Sequence, residues 1–319
     1  ETHYGMKITD NVITSIFNQL IKKSKYDKRK KEIKKFNNNN KVLKKGISIT
    51  PIKFGISFTT THLNQAGALV HIYTDGSVHL NHGGIEMGQG LMTKLAQITS
   101  HEFGLSYQFI KITSTDTEKV PNTSASAASA TTDLNGGAII NAIHKLKSNL
   151  NIFIYDHYNT KSIIKYKNDY VYFDKRKITF KELINKAYLN RISLSSSGFF
   201  KTSKIDINTE TLKGRPFLYF TYGAAVSEVI VDTLTGENKL LQVDIIHDVG
   251  NSINKRIDKG QIEGGFIQGL GWLTTEEISW GKNGNILTHS PSTYKIPTAG
   301  ETPFKLNVEI YKKGYNKEK

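Results

Sequence analysis

The apolar positions Val12, Ile13, Ile16, Phe17, Leu20 and Ile21 recur every three or four residues, which predicts an amphipathic helix that Thr9 can cap. A basic stretch follows, and the polar run 36–41 reads as a linker. From Lys45 the texture changes: Ile47, Ile49 and residues 52–58 read as strand, and residues 69–82 as a hairpin turning at Asp75-Gly76. A glycine-rich loop, 82–90, leads into a predicted helix over 91–103 that Gly104 stops. A strand over 109–113, a second loop of small residues over 121–132 and a helix over 133–150 come next. Twice, then, a loop of small residues delivers the chain to a helix N-terminus, where backbone N–H groups can hold an anion or a polar ring.

In the second half, Tyr166 and Tyr170 flank a turn at Asn168-Asp169, and Thr179 with Glu182 forms a capping box ahead of Leu183, Ile184, Ala187 and Tyr188. A long hairpin runs over 219–232 and 239–248, turning near Thr235-Gly236, and a last one turns at Asn283-Gly284. Residues 257–270 read as helix despite Gly260, Gly264, Gly265 and Gly269. Each interior glycine costs about 1 kcal/mol relative to alanine, so this helix is expected to need close backbone approach to a neighbouring helix or a flat ligand. Mixed strands and helices of this kind predict an α+β fold with several layers.

Composition narrows the chemistry. The 319 residues include no cysteine, so the chain alone holds no disulfide, cysteine zinc site or iron–sulphur cluster. No run approaches the ~18 uninterrupted apolar residues of a membrane span, and no charged-then-apolar leader follows Glu1, so a cytoplasmic protein without membrane partners is expected. The net charge is +15, of which residues 21–45 carry +10. Lysines number 38 and arginines 5, and arginine is the residue that reads phosphates and bases bidentately. The basic run is therefore read as a solvated helix face, and nucleic-acid binding is not expected.

Ordinary catalytic signals are weak. His79 and His82 lack a convincing third metal ligand, Asp244 and Asp248 are read as turn or cap residues before an acid pair, and no HExxH, GxSxG or Walker loop occurs. What stands out is neutral polar side chains framed by glycine or alanine: Gln89 between Gly88 and Gly90, Ser124, Ser126 and Ser129 among alanines, and Gln261 and Gln268 seven apart on the glycine-rich helix. Glutamine offers donor and acceptor together, as a heterocycle with amide-like edges requires. Tight helix packing explains the same pattern equally well.

Longer motifs carry a resemblance. Residues 53–59 (KFGISFT), 63–68 (LNQAGA), 73–77 (YTDGS), 82–90 (HGGIEMGQG), 120–124 (VPNTS), 260–264 (GQIEG) and 291–297 (PSTYKIP) resemble the molybdopterin-binding large subunit of the xanthine dehydrogenase/aldehyde oxidase family, of bacterial type, in the family's order. The resemblance implies an α+β molybdenum-cofactor-binding fold, truncated at both ends. Residues 1–45 would be the helical tail of a first cofactor subdomain plus a basic linker, and 46–319 a second subdomain incomplete at its C-terminus.

For the site, the resemblance implies that Gln89 and Gln261 hydrogen-bond the molybdopterin and that the Ala128-Ser129 backbone lies close to the molybdenum, with no side chain on the metal. Phe58 would stack on a purine substrate with Thr59 beside it. The implied activity is oxidation of hypoxanthine or xanthine with water, electrons leaving through 2Fe-2S clusters and FAD on partner domains or subunits to NAD, in a higher oligomer. No catalytic residue is expected in this chain. The family's general base sits in a Gly-Glu-Pro-Pro motif, which Gly300-Glu301-Thr302-Pro303 resembles only superficially. Glu301 is therefore read as a surface-loop residue. The alternative reading is a non-catalytic scaffold or assembly fragment of the same family.

Overall fold

Asn11, rather than Thr9, serves the start of the first helix, α1 (Ile13–Lys23): its Oδ1 accepts from Ile13 N at 3.1 Å, and Val12 stands at the N-cap. The computed structural model describes residues 1–118, 122–312 and 314. Helix α2 (Tyr26–Asn39) takes in residues 36–39, so most of the expected linker is helical. Asn37 grips Lys45 N and O at 2.8 and 2.9 Å, and Asn40 Nδ2 donates to Phe36 O at 2.8 Å. The asparagines thus end the helix through side-chain bonds, which hydropathy does not reveal.

Strands β1 (Leu43–Ile56), β2 (Gln65–Ile72) and β3 (Val78–His82) follow, with the β2–β3 turn at Asp75-Gly76 as predicted. Gly76 has φ +87°, and Asp75 Oδ1 accepts from Ser77 N at 2.9 Å. Helix α3 (Leu91–Phe103) stops at Gly104, then come β4 (Ile110–Ile112) and α4 (Thr131–Tyr158). Helix α4 runs on past Leu150 because Phe153 and Ile154 continue its buried stripe, and Asn159, at φ +50°, ends it. Next are β5 (Lys165–Lys167), β6 (Tyr170–Phe173), β7 (Arg176–Thr179) and α5 (Phe180–Leu189), the last capped by Thr179 Oγ1 accepting from Glu182 N at 3.1 Å. The chain continues through β8 (Ser195–Lys201), β9 (Asp206–Asn208), β10 (Lys213–Arg215), β11 (Tyr219–Asp232), β12 (Asn238–His247), α6 (Lys255–Thr274) and β13 (Lys305–Ile310).

These elements form two compact units, Glu1–Lys7 with Ile56–Leu218 and Ile8–Gly55 with Tyr219–Lys319; residue 45 lies within β1, in the second. The first is built on a sheet of order β4-β3-β2-β8, with β3–β4 parallel and the other pairs antiparallel. Ala66, Ala68, Val70 and Ile72 of β2 and Val78 and Leu80 of β3 are fully buried, and α4 lies across β2 and β8 with α3 beside it. The approach is close: a Cβ on Gly198 of β8 would stand 2.0 Å from Ala138 O of α4, so only glycine fits.

The second unit has the sheet order β1-β11-β12-β13. Helix α1 packs Ile16 and Leu20 toward β11 and β12, and α6 sets Ile262 and Phe266 on the cluster Val243, Ile245 and Val308. Helix α2 exposes most of its lysines, but Arg29 turns inward and bonds Glu228 and Asp244, both at 2.8 Å. Asp244, which also accepts from Gln242 and Asn307, is thereby a structural acid. No helix of the described residues is long and apolar enough to cross a membrane.

Candidate functional site

Because β2 and β3 are antiparallel, with Ala68 opposite His82, the start of β2 and the end of β3 fall at one end of the first unit's sheet. The chain enters β2 through a turn that Asn64 holds. Asn64 is buried; its Oδ1 accepts from Phe58 N at 2.8 Å and its Nδ2 donates to Phe58 O at 2.9 Å and Thr60 O at 3.2 Å. Half-buried Phe58 and exposed Thr59 are thus fixed by a single amide. One residue further on, Gln65 O accepts from both Ser124 N (3.2 Å) and Ser124 Oγ (3.1 Å), tying the loop over 122–130 to the same end. Ser126 Oγ accepts from Ile85 N at 2.7 Å and joins the two glycine- and alanine-rich loops. Val120 and Pro121, of the family-like run, lie outside the described residues.

The loop leaving β3 packs without slack. A Cβ on Gly83 would stand 2.0 Å from Thr123 Cγ2, and one on Gly84 2.6 Å from Leu91 Cδ2. His82 is buried, its Nδ1 accepting from Gly84 N at 3.1 Å, which leaves the proton on Nε2 facing Met92 Sδ at 3.2 Å. Burial pushes its pKa down to about 4 against the pull of Glu86, so the ring is neutral near pH 7. Thr115 Oγ1 bonds His82 O and Gly84 O beneath it.

Gln89 is half-buried; its Oε1 accepts from Met87 N at 2.6 Å and its Nε2 donates to Ile85 O at 2.7 Å. An amide has two lone pairs and two N–H bonds, so one of each remains. Ala128 and Ser129 have φ +55° and +54°, two consecutive left-handed residues just ahead of α4, whose N-cap Ala130 has no side-chain bond to give. Thr123 Oγ1 and Asn135 Oδ1 are buried without a hydrogen-bond partner. Phe58, Thr59, Gln89, Ala128 and Ser129, far apart in sequence, therefore meet at one sheet end.

Gln261 sits in the second unit, exposed on α6. The tight approach expected for this helix is not found: added Cβ atoms at Gly260, Gly264, Gly265 and Gly269 would meet nothing within 4 Å among the described residues. Gln261, Gln268, Gly260 and Gly264 lie on the face turned away from Ile262 and Phe266. Glu301 is exposed and caps its own turn, with Oε2 accepting from Thr298 N at 2.5 Å. Two residues that matter here carried no assignment from sequence, Asn64 and Glu86. The signal for Glu86 was an acid placed just ahead of a predicted helix N-terminus. Among the described residues no cluster of three or more His, Asp or Glu side chains could hold a metal ion.

Residues 19–303 match the family model of the molybdopterin cofactor-binding domain. The chain is 44% identical over 317 residues to xanthine dehydrogenase/oxidase of Felis catus, covering 99% of this chain and 22% of that protein. It is 43% identical over 317 residues to xanthine dehydrogenase of Oryza sativa subsp. japonica, covering 97% and 22%. It thus spans about a fifth of the length of the curated relatives it matches. Among solved structures, quinoline 2-oxidoreductase from Pseudomonas putida 86 superimposes with a TM-score of 0.81 at 20% identity, over 96% of this chain and 39% of that one. Reconstituted CO dehydrogenase from Oligotropha carboxidovorans superimposes with a TM-score of 0.80 at 21% identity, over 94% and 38%. Both likenesses speak to the fold.

Proposed function

The chain belongs to the molybdopterin cofactor-binding domain family, and from that membership we propose that it supplies cofactor and substrate contacts to a molybdenum hydroxylase of xanthine dehydrogenase type. The substrates proposed are hypoxanthine and xanthine, oxidised with water, with electrons passing through 2Fe-2S clusters and FAD on partner domains or subunits to NAD. One observation carries the reading: five residues to which the resemblance assigns site roles lie in loops at one end of a sheet, tied together by the bonds of Asn64, Gln65, Ser124 and Ser126.

The residues fit the group they are asked to hold. A flat, polar, anionic cofactor needs neutral donors and acceptors, close backbone and no competing negative charge. Gln89 has a spare donor and acceptor, and the Ala128-Ser129 turn opens onto a helix start whose N-cap, Ala130, has no side-chain bond to give. Of the acids at the two helix starts, Glu86 has its charge met by backbone N–H groups, and Asp133 lies exposed to solvent in the first turn of α4. When bound, molybdopterin supplies the metal centre for two-electron oxidation of a substrate carbon. Gln89 and the Ala128-Ser129 backbone hold and orient the cofactor, and Gln261 is assigned the cofactor contact that its motif implies. Phe58 offers a ring face for stacking a purine, held by the Asn64 amide, with Thr59 beside it.

The carboxylates weighed for acid–base work have other partners: Glu301 accepts from Thr298 N, Asp244 is bonded to Arg29, and Asp248 accepts from Gly250 N at 3.0 Å. The resemblance assigns the general base to a Gly-Glu-Pro-Pro motif, which does not occur in residues 1–319. Molybdenum by mass spectrometry and released pterin by fluorescence, measured on protein produced with the cofactor available, test the proposal. Gln89→Ala should lose molybdenum, whereas Phe58→Ala should keep it and, in the intact enzyme, raise KM or lower kcat for hypoxanthine. Equal molybdenum content in the two variants overturns the Gln89 assignment. Wild-type protein that carries neither metal nor pterin overturns the proposal and leaves an assembly role.

A further inference from the structure

The same end of the sheet presents two helix starts, and they are treated differently. At α3, backbone N–H groups converge on one carboxylate. Glu86 Oε1 accepts from Gly88 N and Gly90 N, both at 2.9 Å, Oε2 accepts from Met92 N at 3.0 Å, and Leu91 N adds a fourth bond. Gly88 and Gly90, at φ +100° and +77°, allow the loop to wrap its N–H groups around that point. Gln89 then folds back between Met87 N and Ile85 O, and Ser126 holds Ile85 N, so the stretch 85–92 is closed on itself by three side chains. Helix α4 has no such plug at its N-cap. A carboxylate accepting several backbone N–H bonds at a helix start does what a bound anion would do there.

We propose that Glu86 is a positioning residue that acts as a built-in anion: it fills the N–H slot at the start of α3, fixes the loop that presents Gln89, and keeps external anions off that helix end. The role rests on the cofactor reading of Gln89. The slot itself does not, because it is formed by this chain's own atoms.

The test uses formate, a small carboxylate that fits an emptied slot. Wild type, Glu86→Ala and Glu86→Gln are melted, and assayed for molybdenum retained, in formate and in chloride at equal ionic strength. Glu86→Ala is expected to melt lower and to lose roughly tenfold or more of its molybdenum affinity, as removal of a supporting residue behind a metal-site contact does. Formate should restore both readouts and chloride neither, while wild type should be indifferent to the choice of salt. Glu86→Gln, which keeps an acceptor oxygen but no charge, should fall between. The proposal is overturned if formate and chloride act alike on Glu86→Ala, or if that variant keeps molybdenum as wild type does. Should Glu86→Ala not fold, Glu86→Gln decides: molybdenum retention in chloride equal to wild type overturns the proposal. If wild type itself holds no molybdenum, the cofactor reading fails, and the formate effect on melting still decides the slot.

Discussion

Gln89 and Gln261 share one pattern along the chain, a glutamine among glycines, and the structure gives the two sets of glycines different causes. In the loop that carries Gln89, Gly83 and Gly84 are demanded by packing against Thr123 and Leu91, while the flanking Gly88 and Gly90 are demanded by backbone conformation, at φ +100° and +77°. Around Gln261, Gly260, Gly264, Gly265 and Gly269 of α6 meet nothing among the described residues, although each weakens the helix by about 1 kcal/mol relative to alanine; only Gly271, near the helix end, is packed tightly, against Glu276 and Pro297. The first loop is finished by internal contacts before any ligand arrives. The second set of glycines has no internal contact among the described residues that requires it. A glycine-framed polar residue therefore does not by itself say whether packing or backbone conformation required the glycines.

The largest effect is expected at the finished loop. Gly83→Ala would put its Cβ 2.0 Å from Thr123 Cγ2, and overpacking of this kind costs about 3 kcal/mol. Chemical denaturation should show that loss, and a variant as stable as wild type would mean the loop has slack and the contrast with α6 is false. The second effect is set by pH. The folded-state pKa of His82 is pushed down to about 4 from 6.5, so both states are neutral above pH 6.5 and the stabilising difference is complete there. As pH falls from 6.5 toward 4 the unfolded chain takes up the proton first, and about 3 kcal/mol is lost. His82→Gln should flatten the stability curve between pH 6.5 and 5, a window in which Glu86 stays ionised in both states because its folded pKa lies below the ordinary 4.5. An unchanged slope would show that His82 is not what makes the loop acid-sensitive. The smallest effect has the opposite sign. Gly264→Ala on α6 should stabilise this chain by about 1 kcal/mol while lowering cofactor retention. A drop in melting temperature would reveal backbone contact there and erase the difference between the two regions.

Much of this was legible from residue patterns because the forces were local. Asp75-Gly76 turns a hairpin, Gly104 ends α3, and Asn168-Asp169 takes φ of +52° and +67° between β5 and β6, all through backbone preferences a sequence displays. The hidden parts depend on distant partners or on unpatterned polarity. Helix α2 has almost no apolar stripe; Ile33 and an arginine reaching β11 and β12 hold it. Asn64 stood inside a motif, but its grip on Phe58 is a matter of three-dimensional closure. Glu86 stood inside a motif too, but the backbone N–H groups that converge on it come from a loop closure no pattern displays.

Arg29 leaves a further consequence. Among the lysines of α2 it is the lone guanidinium, and it is also the side chain clasped by Glu228 and Asp244. Acylating reagents that attack amines would strip much of the positive charge from that helix and leave this clasp intact. The electrophoretic mobility of the molecule and the ionic attachment of its most basic helix are thus carried by different side chains, and a reagent can change the one while sparing the other.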